Sequence, residues 1–149
     1  MYLKTLTLIH AALVFGLVIF GAISYFSGVG FVGQFEITGD VFIYLIPLAA
    51  MLGYFGSKIY FKKQLETIKK SDPLPSKLAK YQVASIVKYA FIEGPAVLAL
   101  FIFMGNGYSL YFSIAFCLVL YLMVQRPTKD KLVQDLDLSP TEQQEMEKK

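Results

Sequence analysis

The segment LKTLTLIHAALVFGLVIFGAISYF, Leu3 to Phe26, holds no acidic residue and only Lys4 and His10 as basic ones. A helix rises ~1.5 Å per residue, so roughly 20 residues cross a ~30 Å hydrocarbon layer. The segment is long enough to do so. Its apolar part exceeds that of a secretory signal and only Lys4 precedes it, so it reads as a retained helix rather than a cleaved leader.

Three further runs repeat the pattern. Val41 to Phe61 carries Lys58 near its end, Val83 to Met104 contains Lys88 and Glu93, and Tyr108 to Val124, the shortest, has no Asp, Glu, Lys, Arg or His. In a chain of 149 residues that is 56% hydrophobic and 17% charged, gathering the apolar residues into four runs excludes a soluble core. The expectation is an all-α membrane protein: a four-transmembrane-helix bundle over residues 1–126, with spans of about 3–26, 41–61, 83–104 and 108–124. Residues 127–149 form a cytoplasmic tail of short amphipathic helices.

Basic residues orient such a bundle, because Lys and Arg near membrane ends stay on the cytoplasmic side. Seven lysines lie between Lys58 and Lys80, and Arg126, Lys129 and Lys131 follow the fourth run, whereas residues 27–40 and 105–107 have no Lys or Arg. Both termini are therefore expected in the cytoplasm. Tyr25, Tyr44, Tyr108 and Tyr111 near one boundary and Tyr2, Tyr60 and Tyr81 near the other form the aromatic belts of a bilayer. The net charge of +3 comes from lysines placed where anionic headgroups attract them, which makes the lipid bilayer, not nucleic acid, the partner.

Local signals set the element ends. The second helix continues through Ile68 and stops by Asp72-Pro73-Leu74-Pro75, with Asp40 as its N-cap and Ser76 as the N-cap of the third. Gly105-Asn106-Gly107 allows only a tight hairpin between the third and fourth. In the longer loop, Phe31, Phe35 and Ile37 are read as lipid contacts. Thr128 caps a short amphipathic helix whose Leu132, Val133 and Leu136 tuck against the bundle, and Ser139-Pro140-Thr141-Glu142 is a capping box. A faint repeat relates His10, Ala12 and Gly16 to Lys88, Ala90 and Gly94, and Tyr44 and Tyr54 to Tyr111 and Tyr121.

Small residues four apart let helices approach closely in lipid. Ala12 and Gly16, Ala49 and Gly53 with Ser57, and Ala90 and Gly94 mark such faces. Pro47 and Pro95 are expected helix kinks. Glu93 lies about ten residues into the third run, ~15 Å deep, where a carboxylate costs roughly 3 kcal/mol. It is the candidate intramembrane polar site, with Tyr89 one turn away and His10 at similar depth. Lys88 lies ~140° around the helix from Glu93 and points toward the cytoplasm. Pro95 frees the carbonyl of Phe91, to which a protonated Glu93 is positioned to donate.

No phosphate loop, HExxH, CxxC or GxSxG occurs, and a single His with one intramembrane acid cannot complete a metal site. Neither enzymatic activity nor a cofactor is expected. One cysteine, Cys117, excludes an intramolecular disulfide.

Tyr89-Ala90-Phe91-Ile92-Glu93-Gly94-Pro95-Ala96, with the tail Arg126-Pro127-Thr128-Lys129-Asp130-Lys131, resembles small bacterial four-span membrane proteins. That resemblance implies the bacterial inner membrane and brings no activity. A helix with a mid-membrane glutamate is also similar in outline to rotor proteolipids of rotary ATPases, but their glycine ladder is replaced here by Phe and Tyr. Small multidrug transporters share four spans and an acid, which in them lies in the first helix, where this chain has His10 and Phe15. The expected function is a structural or accessory subunit, acting as a homo-oligomer or with other membrane subunits. The alternative is a proton- or cation-coupled transporter or channel component using Glu93.

Overall fold

Six helices account for the fold in a computed structural model that describes residues 2–32 and 39–148: α1 (Tyr2–Ser27), α2 (Phe42–Glu66), α3 (Leu74–Asn106), α4 (Ser109–Val124), α5 (Lys129–Leu136) and α6 (Pro140–Lys148). Phe35 and Ile37 lie outside the described residues. α1, α2 and α3 are each long and apolar enough to cross a membrane. α4 has 16 residues, and meets the same test only together with α5, across a bend of 78°.

The four long helices are not equivalent. α3 packs against α1, α2 and α4, which touch one another only sparingly. Accordingly Tyr89, Ile92, Ala96, Ala99, Leu100 and Phe103 of α3 are all buried, and α3 is the axis of the bundle. From α1, heptad-spaced His10, Leu17 and Ser24 face inward.

This arrangement corrects the expected small-residue faces. Only the α2 seam is a close helix contact: Ser57 and Gly53 are buried, Ala49 is half-buried, and a Cβ on Gly53 would lie 2.4 Å from the Phe91 carbonyl oxygen and 2.9 Å from Pro95 Cγ. Ala12, Gly16, Ala90 and Gly94 are exposed, and a Cβ on Gly16 or Gly94 would meet nothing within 4 Å. The physical reason is that α1 and α3 meet through larger side chains. Among the glycines of the described residues, close backbone approach of this pair is seen just past the end of α1, where a Cβ on Gly28 would lie 2.7 Å from the Met104 carbonyl oxygen.

Most turn chemistry follows the sequence. Asp40 Oδ1 accepts the Phe42 N–H at 2.9 Å, Thr128 Oγ1 accepts that of Lys131 at 3.3 Å, and Ser139 N donates to Glu142 Oε2 at 2.9 Å. Gly107 ends α3 in the left-handed region (φ 72°), so tightly against Gly30 that a Cβ would fall 2.3 Å from its carbonyl oxygen. Two boundaries differ. α2 ends at Glu66, and α3 begins at Leu74 rather than after Ser76, because Pro75 occupies the first turn, where a missing N–H breaks no helical bond. Pro47 and Pro95 both lie inside helices that continue past them.

The C-terminal segment folds back on the lysine-rich end. Leu132, Leu136 and Leu138 are buried with Leu74 and Leu78 of α3. Tyr81 donates to Asp135 at 3.0 Å, and Lys77, only 2% exposed, reaches Glu142 at 2.7 Å. At the opposite end Phe31 is exposed, yet its ring packs on Tyr25, Phe103 and Phe112.

Candidate functional site

The last carbonyls of a helix have no N–H partner along the chain, and leaving one unpaired in apolar surroundings costs several kcal/mol. α4 ends next to α1 and α3; the Gln125 N–H turns back to the Leu122 carbonyl at 3.0 Å, and side chains of other elements add further donors around this helix end. His10 Nε2 lies 2.7 Å from the Leu122 carbonyl oxygen. A carbonyl only accepts, so Nε2 carries the hydrogen. Tyr89 Oη donates to the Gln125 carbonyl at 3.3 Å, and Lys131 Nζ donates to those of Val124 and Arg126 at 3.0 and 3.2 Å. The His10 and Tyr89 rings meet edge to face at 5.0 Å. Lys88 lies beside this cluster, its Nζ 4.3 Å from the centre of the Phe61 ring and 6.0 Å from that of Tyr89.

Glu93 does not join it. The pairs His10–Tyr89 and Gly21–Leu100 place α1 and α3 side by side, which puts Glu93 level with Val14, one turn beyond His10. The half-buried carboxyl has no hydrogen-bond or ion-pair partner among the described residues. Nor does it serve the carbonyl freed by Pro95. Phe91 O is packed against Gly53 on α2, while residues two apart project ~200° around a helix, so the Glu93 side chain leaves from the other side.

Two relationships lie beyond what spacing alone reveals. Asp40, one residue before the N-cap Val41, accepts the Phe42 N–H with one carboxylate oxygen and the buried Tyr111 hydroxyl with the other, tying the start of α2 to α4. Tyr54 and Tyr121, matched in the faint repeat, meet with ring centres 4.9 Å apart and planes tilted by 54°, with Lys58 Nζ 4.2 Å from the centre of the Tyr54 ring. A conserved depth of polar and aromatic positions across helices is the signal that pairs them, and one sequence does not provide it. Among the described residues no group of three His, Cys, Asp or Glu side chains could hold a metal ion.

Between α1 and α4 the surface is concave and apolar. One hollow of about 680 Å³ includes Leu8, Phe15, Met123 and Arg126; a second of about 330 Å³ includes Leu17, Leu100 and Phe116. Val18 and Met123 line both, so they form one groove, and Glu93 lines neither.

No protein-family model, curated protein or solved structure matches this chain.

Proposed function

We propose that this chain is a four-span protein of the bacterial inner membrane, both termini in the cytoplasm, and that it serves as a structural or accessory subunit of a membrane complex. The observation that carries this reading is the use made of its internal polar groups: His10, Tyr89 and Ser57 are committed to the carbonyls of Leu122, Gln125 and Tyr54. Such groups stabilise helix ends and helix contacts, and none of them lines up toward Glu93 as a relay. The concentration of lysines at the end where α2, α3 and the tail meet supports the orientation. Purified protein in liposomes loaded with a pH-sensitive dye tests the reading. It predicts no proton flux above empty liposomes under an imposed gradient, and flux abolished by Glu93→Gln would overturn it.

A second reading, a proton- or cation-coupled component, draws on one observation, the half-buried Glu93 carboxyl with no partner among the described residues. In an accessory subunit that carboxyl meets a donor on a neighbouring subunit.

A further inference from the structure

The groove between α1 and α4 has a charge at only one end. Its walls are apolar along the membrane, its floor is Leu17 and Leu100, and at the lysine-rich end it closes on Arg126. The Arg126 side chain is exposed and its guanidinium has no carboxylate partner among the described residues. Lys4 is also exposed and lies one turn before Leu8, on the face of α1 that lines the groove. Two cations thus stand at the mouth of an apolar trough. From Met123 to Phe112 the trough follows α4 for eleven residues, ~17 Å, which exceeds half the ~30 Å hydrocarbon thickness, and Arg126 lies just past its end. An acyl chain whose headgroup rests at Arg126 is accommodated along its length.

We infer that the α1–α4 groove seats an anionic phospholipid, its phosphate between Arg126 and Lys4 and one acyl chain in the trough. The inference rests on the membrane-spanning reading above. A second copy of the chain fits the groove less well. Helix–helix docking in lipid relies on close backbone approach at small residues; the α1 wall has them in Ala11, Ala12 and Ala22, but Phe112, Phe116, Leu120 and Met123 of the α4 wall hold a second helix away from them. A phospholipid satisfies both the concave apolar surface and the two unpaired cations, since each basic residue near an anionic headgroup favours it about fivefold.

The chain has no tryptophan, so a single one can report on the groove. Phe116→Trp, or Phe15→Trp should the first variant fail to fold, places the reporter on its wall. The exposed Phe55 of α2 is the control position. Each variant is reconstituted in vesicles of phosphatidylcholine with a fixed fraction of brominated phosphatidylglycerol or brominated phosphatidylcholine. In the groove, quenching should favour phosphatidylglycerol about twenty-five-fold in apparent affinity, about fivefold for each of the two basic residues. At Phe55→Trp the two lipids should quench equally, whereas in the groove Arg126→Gln should cut the preference about fivefold and Arg126→Gln with Lys4→Gln should remove it. Equal quenching in the groove, a preference unchanged by Arg126→Gln, or a groove reporter shielded from both lipids while Phe55→Trp is quenched would each overturn the proposal. If no reporter is quenched by either lipid, the spanning assignment itself fails.

Discussion

The carbonyl oxygen of Phe91 lies 2.4 Å from where Gly53 would carry a Cβ. Pro95 removes the N–H that would otherwise bond this carbonyl, and α2 fills the gap with the one residue whose backbone can come so close. Proline on α3 and glycine on α2 are therefore two halves of one helix contact, and the Ala49–Gly53–Ser57 seam is centred on it.

Substitution at Gly53 should consequently be far costlier than at the other seam glycines. Gly53→Ala forces backbone apart and should lose about 1–3 kcal/mol or more. Gly16→Ala and Gly94→Ala meet nothing within 4 Å and should be neutral or gain up to about 1 kcal/mol in helix propensity. Unfolding in mixed detergent micelles measures all three. Equal losses would show that the three glycines have the same surroundings.

His10 should act as a donor to the end of α4. His10→Phe keeps a ring against Tyr89 but leaves the Leu122 carbonyl with the Gln125 N–H alone, at about 0.5–1.5 kcal/mol. Tyr89→Phe, removing one longer hydrogen bond, should cost about 0.5–1.5 kcal/mol. Because both residues hold the same helix end, the double variant should lose less than the two single losses combined. Strict additivity, measured in the same unfolding assay, would mean they act independently.

How much of this was legible in the sequence depends on the range of the interaction. The long apolar runs, the caps at Asp40, Thr128 and Ser139 and the Gly107 turn are set by neighbours along the chain, and their residues announce them. The choice of α3 as the axis is not local. Ala12–Gly16 and Ala90–Gly94 have the same spacing as Ala49–Gly53, and only the third dimension decides which faces another helix. The candidate site divides the same way. Spacing along α3 brought Tyr89 to notice, but the pairing of His10 with the end of α4 joins residues 112 positions apart, and nothing in the local sequence marks it.

The tail should release in acid. Hydrogen bonds from Lys77 and then from the backbone and hydroxyl of Ser139 hold the Glu142 carboxyl down to about 2, from an ordinary 4.5. The docked tail thus binds fewer protons than the released one, so the contribution of this carboxyl is complete above about pH 4.5 and is lost as pH falls toward about 2. Hydrogen-exchange protection of the backbone from residue 140 to 148 should fall through that window. In Glu142→Gln protection should be low throughout, since Lys77 is left buried without a counter-charge. A wild-type tail whose protection is flat from pH 5 to about 2 would contradict the clasp.

Glu93→Gln separates architecture from coupling. With no partner among the described residues to lose, the glutamine variant should unfold within about 0.5 kcal/mol of the parent. If the protein is accessory, growth complementation should be preserved as well. A variant equally stable but unable to complement would transfer the function to the ionisable group.

The proposed function requires that the chain thread the membrane four times with its lysine-rich end inside. With Cys117 changed to Ser, single cysteines at Asn106, in the α3–α4 turn, and at the exposed Ser71, between α2 and α3, should report opposite sides. A membrane-impermeant maleimide applied to intact cells should label Asn106→Cys and leave Ser71→Cys unlabelled until the membrane is permeabilised. Labelling of Ser71→Cys from outside, or of both positions alike in intact cells, would contradict it.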